Sequence, residues 1–320
     1  MSDALQSDSS EAKLHFSFEV FPARTAAAAL QLGHAVQHLA AAGPEFISVT
    51  YGASGSTRDA SLDLLQYLKQ HTSAVPMAHL TTVGMSGEEL RRVIGETLQA
   101  GISDFLALRG DPPQGLTEDD ASVSGSLSAV DLIRLIREVR SADPAADQCG
   151  RIAVAVYPNG HPLSRSRSAD IDWLAAKQDA GAGLGITQLF FHAEEYLSFV
   201  SDARDAGVTI PILPGLMPVA TLAQLRKVAS LAGRPAPAEL VRDFERAGGS
   251  ASEIGVAHTV ELARELMAGG APSIHLYTFN RHEQVTAVLR QLGHVTPDPL
   301  TLQQRSLAPA PIDRSSSPSH

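Results

Sequence analysis

Short apolar runs alternate with amphipathic stretches along most of this chain. The runs His15–Val20, Phe46–Thr50, Val75–Leu80, Asp104–Leu108, Ile152–Tyr157, Gly185–Phe191, Thr209–Leu213 and Ser273–Thr278 are dominated by apolar residues. Strands buried on both faces read this way, without the polar alternation of a half-exposed sheet. The stretches between them have helical spacing. Leu90, Val93, Ile94 and Leu98 share one helix face, as do Val130, Ile133, Ile136 and Val139. Ser86 with Glu89 three residues on forms a capping box at a helix start. Further helices are expected over Ala26–Ala42, Ser56–His71, Ser168–Ala180 and Ala193–Ala206, and from Thr221 and Arg281 onward. Pro235–Gly249 reads as an inserted helix between breakers, followed by a helix over Glu253–Met267.

Eight strand–helix units in a row predict an α/β protein, a (β/α)8 TIM barrel. It is a single domain over residues 14–298 with a short extra helix before the last strand. In such a barrel the C-terminal ends of the strands open onto one face, which holds the chemistry. The runs end at Glu19, Thr50, His79, Arg109 with Asp111, Tyr157, Gln188, Pro214 and Tyr277. The active face is therefore predicted before any motif is considered.

Composition narrows the partners. With 44% hydrophobic and 19% charged residues over 320 positions, the chain is ordinary globular material. A net charge of −10 without a Lys/Arg block argues against a nucleic-acid partner. No apolar run approaches the roughly 18 residues of a membrane span. The lone Cys149 allows neither an intrachain disulfide nor a cysteine zinc site, which fits a reducing cytoplasm. Residues 1–13 are rich in Ser and Asp, lack the pattern of a signal peptide, and are expected to be a disordered arm. Residues 299–320, rich in Pro and Ser, are expected to be a disordered tail.

Several strand-end residues can carry chemistry. Glu19 lies in the apolar Ser17-Phe18-Glu19-Val20-Phe21-Pro22, where burial would keep a carboxyl protonated and suit it to general-acid work. The alternative is a structural acid bridged to Arg24 or to another core partner. Arg109-Gly110-Asp111-Pro112-Pro113 offers a guanidinium fork for a phosphate or carboxylate, or an Arg–Asp pair holding a loop. The loop Thr50–Thr57 could present N–H groups and hydroxyls to an anion, but lacks a P-loop ending. Gly181-Ala182-Gly183-Leu184-Gly185 precedes a strand, the wrong context for a dinucleotide fingerprint. No histidine spacing makes a convincing metal site, and none is expected. No lysine falls at a strand end, and Lys177 alone reads as a solvated helix residue. Arg165 and Arg167 could reach a phosphate or form a solvated loop.

Taken in order, these segments resemble a known family. Ser-Phe-Glu-x-Phe-Pro at 17–22, Val-Thr-Tyr-Gly at 49–52, Ala-His-Leu-Thr at 78–81 and Ala-Leu-Arg-Gly-Asp-Pro-Pro at 107–113 come first. They are followed by Tyr-Pro at 157–158, His-Pro at 161–162, Asp-Ala-Gly-Ala at 179–182 and Ile-Thr-Gln-Leu-Phe-Phe at 186–191. Pro-Gly-Leu-Met-Pro at 214–218 and His-Leu-Tyr-Thr-Phe-Asn-Arg at 275–281 complete the series. Over roughly Phe16–Leu292 the chain resembles the catalytic domain of bacterial methylenetetrahydrofolate reductases.

The resemblance implies a flavoprotein of one-carbon metabolism and methionine biosynthesis. FAD would be held by Thr50, His79, Arg109, Gly110, Asp111, Tyr157, His161, Asp170 and Lys177, with the loop around Arg165 near its phosphates. NADH or NADPH would reduce the flavin and leave, and 5,10-methylenetetrahydrofolate would take the same face. Glu19 would supply a proton and Asp111 would act beside the flavin ring. Gln188 with Asp111 would hold the pterin, and Leu222, Tyr277 and Arg281 would contact substrate or nicotinamide. A homo-oligomer is implied as well. Departures from the family pattern fall at Ala23-Arg24, Asn159, Leu222 and Phe279. The competing reading is a flavin-free or differently specialised folate-binding barrel enzyme.

Overall fold

The computed structural model describes residues 14–51, 55–112, 115–117, 119–143, 149–249 and 251–296. The expectations for 1–13 and 299–320 lie outside the described residues, as does part of the Thr50–Thr57 loop. The strands are β1 (Phe16–Val20), β2 (Phe46–Val49), β3 (Val75–Thr81), β4 (Asp104–Leu108), β5 (Ile152–Val156), β6 (Leu184–Thr187), β7 (Ile212–Leu213), β8 (Gly215–Leu216) and β9 (Ile274–Tyr277). All their pairings are parallel, in the order β7-β6-β5-β4-β3-β2-β1-β9-β8. The two ends of that order, β7 and β8, are halves of one run split by Pro214. The sheet thus comes round on itself as a (β/α)8 barrel.

The seventh run differs from its expected form. Thr209–Pro211 is not strand, and Pro214 interrupts the run instead of ending it. Proline lacks an N–H for the ladder. At this seam Gly215 donates its N–H to the Thr187 hydroxyl at 2.8 Å, and Pro214 accepts from His275 N–H at 2.9 Å. The run expected over Gly185–Phe191 ends as strand at Thr187; Gln188 N–H still bonds Val156 O at 2.7 Å, and its side chain accepts from Leu189 N–H at 2.9 Å.

The helices are α1 (Ala26–Ala41), α2 (Gly55–His71), α3 (Gly87–Gln99), α4 (Ala121–Ser124), α5 (Ala129–Ala142), α6 (Arg167–Ala180), α7 (Ala193–Asp205), α8 (Leu222–Ala232), α9 (Ala238–Ala247), α10 (Ser252–Ala268) and α11 (Glu283–Gln291). Ser86 and Ser128 close capping boxes with Glu89 and Asp131, and Thr25, Ser166 and Thr221 cap α1, α6 and α8. The one-turn helix α4 falls inside a stretch expected to be loop. The inserted helix α9 is held by Leu240 and Phe244, whose burial stabilises by roughly 1.5–3 kcal/mol each.

Successive strand residues point to opposite faces, and this separates two cores. Outward residues such as Phe18, Val20, Ile47, Leu80, Phe105 and Val154 pack under the helices. Inward residues Phe46, Met77, Leu106, Ala153, Leu184, Ile186 and Leu213 fill the lumen. A third cluster, with Leu189, Phe191, Leu225 and Phe244, anchors α8 and α9. At the N-terminal end of the strands, buried Asp104 binds Arg151 at 2.7 Å, and the Arg151 guanidinium lies 4.8 Å above the Phe46 ring. That end is filled, which leaves the C-terminal end open for chemistry.

Candidate active site at the C-terminal ends of the strands

Glu19 is an inward residue of β1, one turn of the pleat above Ser17. Burial pushes its carboxyl up to about 8, so it holds a proton at neutral pH. The bridge to Arg24 considered from sequence is not its setting, since Arg24 is exposed. Its charged-group neighbour is His79 of β3, with Nε2 3.5 Å from Glu19 Oε2. Burial lowers His79 to about 3, so the ring is neutral and does not draw the proton off Glu19. His79 Nε2 is buried and makes no hydrogen bond.

Below this pair, Ser17 Oγ meets His275 Nδ1 at 2.8 Å. Burial also holds His275 neutral, at about 3, with His79 adding to the effect. Its ring stacks on Phe46 at 5.7 Å and meets Tyr277 edge-on at 5.1 Å. The Tyr277 hydroxyl donates to the Thr187 carbonyl at 2.9 Å across the seam. Burial raises the Tyr277 phenol well above its ordinary value, and the charges of Glu19 and Tyr157 add to that. Gly215 makes room for this ring, since a Cβ there would lie 2.6 Å from Tyr277 Cε2.

A second group gathers over β4, β5 and α6. Lys177 is no solvated lysine: the residue is half-buried, and its ammonium donates to the Ala155 carbonyl at 3.0 Å. Burial lowers its ammonium to about 8, against the opposing pull of Asp170. Asp170 Oδ2 accepts the His161 N–H at 3.2 Å, and the His161 ring stands edge-on to Tyr157 at 4.6 Å. His161 is lowered by burial first, with Asp170, Lys177, Asp111 and Arg109 all acting on it, which places these charges around one point. Tyr157 is raised by burial, then by Asp111 and Asp170. Arg109 Nη2 donates to Val123 O at 3.3 Å, and its carbonyl accepts from the N–H groups of Thr82 and Val83. Gly110 has φ +87°, and a Cβ there would lie 2.9 Å from Thr81 Cβ. Asp111 is exposed at the mouth.

The other expected residues lie at the rim. Thr50 is half-buried after β2, with its N–H on Val20 O at 3.0 Å. Gln188 is half-buried just past β6. Exposed Arg281 shares a shallow pocket with Met217, Gln224 and Tyr277. Leu222, the first residue of α8, packs against the third core cluster. Arg167 is engaged elsewhere, 2.7 Å from Asp202 and 2.8 Å from Ser198 on α7. Arg165 is exposed, and so is the Arg167–Asp202 pair.

Sequence reading missed a staple between the ends of β1 and β9. Phe279 and Asn280 both adopt left-handed backbone, at φ 50° and 58°. The Asn280 side chain accepts from Phe21 N–H at 2.9 Å and donates to Phe21 O at 2.7 Å. Thr278 Oγ1 donates to Glu19 O at 2.7 Å, so the mouth beside Glu19 is pinned from β9. Exposed Phe21 and Phe279 meet edge-on there at 6.3 Å. Asn280 was the available clue, because asparagine tolerates this backbone better than most residues.

A neutral acid over a lumen floor, beside clustered cations at the strand ends, makes this an enzyme barrel by fold and site. The sequence profile described as methylenetetrahydrofolate reductase matches residues 4–293. The chain belongs to the methylenetetrahydrofolate reductase family. It is 33% identical over 296 residues to 5,10-methylenetetrahydrofolate reductase of Escherichia coli K12, covering 91% of this chain and 95% of that protein. It is 32% identical to methylenetetrahydrofolate reductase (NADH) 1 of Arabidopsis thaliana, covering 91% of this chain and 50% of that longer protein. A Clostridium thermocellum protein described as binding two copies of 5-methyl-5,6,7,8-tetrahydrofolic acid superposes with a TM-score of 0.58. At 16% identity, covering 87% of this chain and 93% of that one, it attests the fold alone.

Proposed function

We propose that the protein reduces 5,10-methylenetetrahydrofolate to 5-methyltetrahydrofolate with electrons from NADH or NADPH, relayed by FAD in a ping-pong cycle. The observation that carries this reading is Glu19, a carboxylic acid kept protonated by burial at the mouth of the barrel. Family membership supplies the substrate class.

The residues present suit FAD. A buried ammonium with a lowered pKa gains when an anion arrives, and Lys177 stands beside Arg109 and His161. Gly110 carries no side chain to fend off a ligand, and His79 Nε2 is a buried polar atom that makes no hydrogen bond. Arg109, His161 and Lys177 would hold the phosphates and ribose, with Thr50, His79, Gly110, Asp111, Tyr157 and Asp170 completing the contacts. Held there, FAD would supply the hydride chemistry that links the nicotinamide to the folate.

The chain's own residues do the rest. Glu19 delivers its proton to the leaving ring nitrogen as the five-membered ring opens to the iminium. Neutral His79 leaves that proton in place until then. Asp111 and Gln188 offer a carboxylate and an amide to the donor and acceptor edge of the pterin. Leu222, Tyr277 and Arg281 form the side of the site that meets substrate or nicotinamide.

The test is an anaerobic spectrum of the purified, FAD-loaded protein. Addition of NADH or NADPH bleaches the flavin band, and methylenetetrahydrofolate restores it. A colourless protein that stays inactive with added FAD refutes the reading.

A further inference from the structure

Three histidines meet on the outside of the barrel, away from the lumen. His34 and His38 stand four residues apart on α1, on one helix face, and His282 directly precedes α11. Their ring centroids lie 4.3 Å (His34–His38), 4.1 Å (His38–His282) and 5.3 Å (His34–His282) apart. One ring nitrogen from each lies within 4.8 Å of the other two. His34 is exposed, and His38 and His282 are half-buried.

A backbone carbonyl orients one of the rings. His38 Nδ1 lies 2.9 Å from the His34 carbonyl, where it donates, which leaves Nε2 as its ligand atom. His282 Nδ1 lies 3.9 Å from Glu283 Oε2, beyond hydrogen-bond distance, so this ring is free to turn. A tetrahedral ion with metal–nitrogen bonds of about 2.0–2.1 Å needs nitrogens about 3.3 Å apart, so a modest inward turn completes the site. The His38 and His282 rings are nearly parallel, at 23°, so one must leave the stack to aim its lone pair. Three imidazoles without a thiolate suit borderline divalent ions and leave a fourth position for water.

We propose that His34, His38 and His282 form a binding site for one borderline divalent transition-metal ion, of which Zn²⁺ is the type, joining α1 to α11. The sequence reading found no histidine spacing convincing for a metal, and the fold is what brings these three together. The His34-x-x-x-His38 pair supplies two ligands, and its third lies 244 residues further on, beyond any local motif.

The test uses the full-length, untagged, chelator-treated protein and Zn²⁺ alone, followed by calorimetry, with Co²⁺ as a visible probe. One equivalent binds, and Co²⁺ develops the absorption of a low-coordinate nitrogen site. His38→Ala and His282→Ala each weaken Zn²⁺ binding at least about tenfold, the least expected when even an orienting partner of a ligand costs that much. His15→Ala, remote from the cluster, leaves binding unchanged. Zn²⁺ raises the melting temperature of the parent protein and not of the double variant. Metal-free melts of all variants verify that they fold. Equal Zn²⁺ affinity and stoichiometry in the parent and a folded His38→Ala/His282→Ala double variant would overturn the proposal, as would no binding at all.

Discussion

Replacing Glu19 by Gln is the sharpest perturbation of the proposed chemistry. Gln keeps the shape of the buried group but cannot deliver a proton. With its pKa at about 8, roughly nine-tenths of Glu19 is protonated at pH 7, whereas a carboxyl at 4.5 would be about 0.3% protonated. Burial therefore enlarges the acid form some 300-fold at working pH. A positioned general acid contributes about 10²–10⁴-fold, so reoxidation of reduced flavin by methylenetetrahydrofolate should slow by that factor in Glu19→Gln. Reduction of the flavin by NADH or NADPH, which needs no proton from Glu19, should stay within about twofold. Anaerobic stopped-flow absorbance separates the two half-reactions. In the parent enzyme the folate step should hold its rate up to pH 8 and then fall about tenfold per unit, as one proton is lost. A variant that reduces folate within tenfold of the parent would refute the acid role. A parent profile that already declines from pH 5 would refute the cause assigned to it. Stability gives an independent reading. The folded carboxyl keeps a proton that the unfolded chain releases, so its contribution is full below about 4.5 and is lost as pH rises towards 8. Melting temperatures of Glu19→Gln should therefore gain on the parent across that window.

Two further substitutions probe the cofactor side. Lys177→Met should weaken FAD binding about 10–100-fold, the range for a lost hydrogen bond to a charged group, as measured by flavin fluorescence. Parent affinity should also fall as pH rises through about 8 while the variant stays level, and matching pH profiles would count against a phosphate contact. Gly110→Ala forces an alanine to φ +87° and against Thr81, which should cost about 1–3 kcal/mol in urea unfolding. A loss below about 0.5 kcal/mol would mean that the turn relaxes freely.

The barrel was legible because its strands are buried on both faces and its helices carry their own punctuation. Apolar runs located β1 to β6 and β9 to within a few residues, and Ser86–Glu89 located α3. What hides from a linear reading is pairing at a distance. Pro214 looks like a strand terminator because it has no N–H, yet the Thr187 hydroxyl satisfies Gly215 and lets the wall continue. Lys177 looks like a surface residue until α6 is laid against β5 and its ammonium reaches Ala155 O. Only the family resemblance gave it a role in advance. Arg167, which the sequence left open between a phosphate contact and a solvated loop, pairs with Asp202 on the next helix. The Ser17–His275 and Phe21–Asn280 bonds join residues 258 and 259 positions apart, so neither partner announces the other. Glu19 was legible because burial and charge conflict within one short apolar strand.

The broken seventh run also has a mechanical consequence. β6–β7 and β8–β9 pair over two residues each, whereas β3–β4 pairs over five. Fewer ladder bonds make these joints the cheapest places for the wall to part, and Thr187 spans them through its bonds to Gly215 and Tyr277. The barrel is therefore stiff on one side and compliant on the other. Glu19, His79 and Arg109 ride on the stiff arc from β1 to β4. Gln188, Tyr277 and Arg281 border the compliant slit. On the proposed chemistry, Glu19 and the β3–β4 contacts stay fixed while the side bordered by Gln188 and Arg281 yields, a division of stiffness that would suit two co-substrates of different shape taking turns on one face.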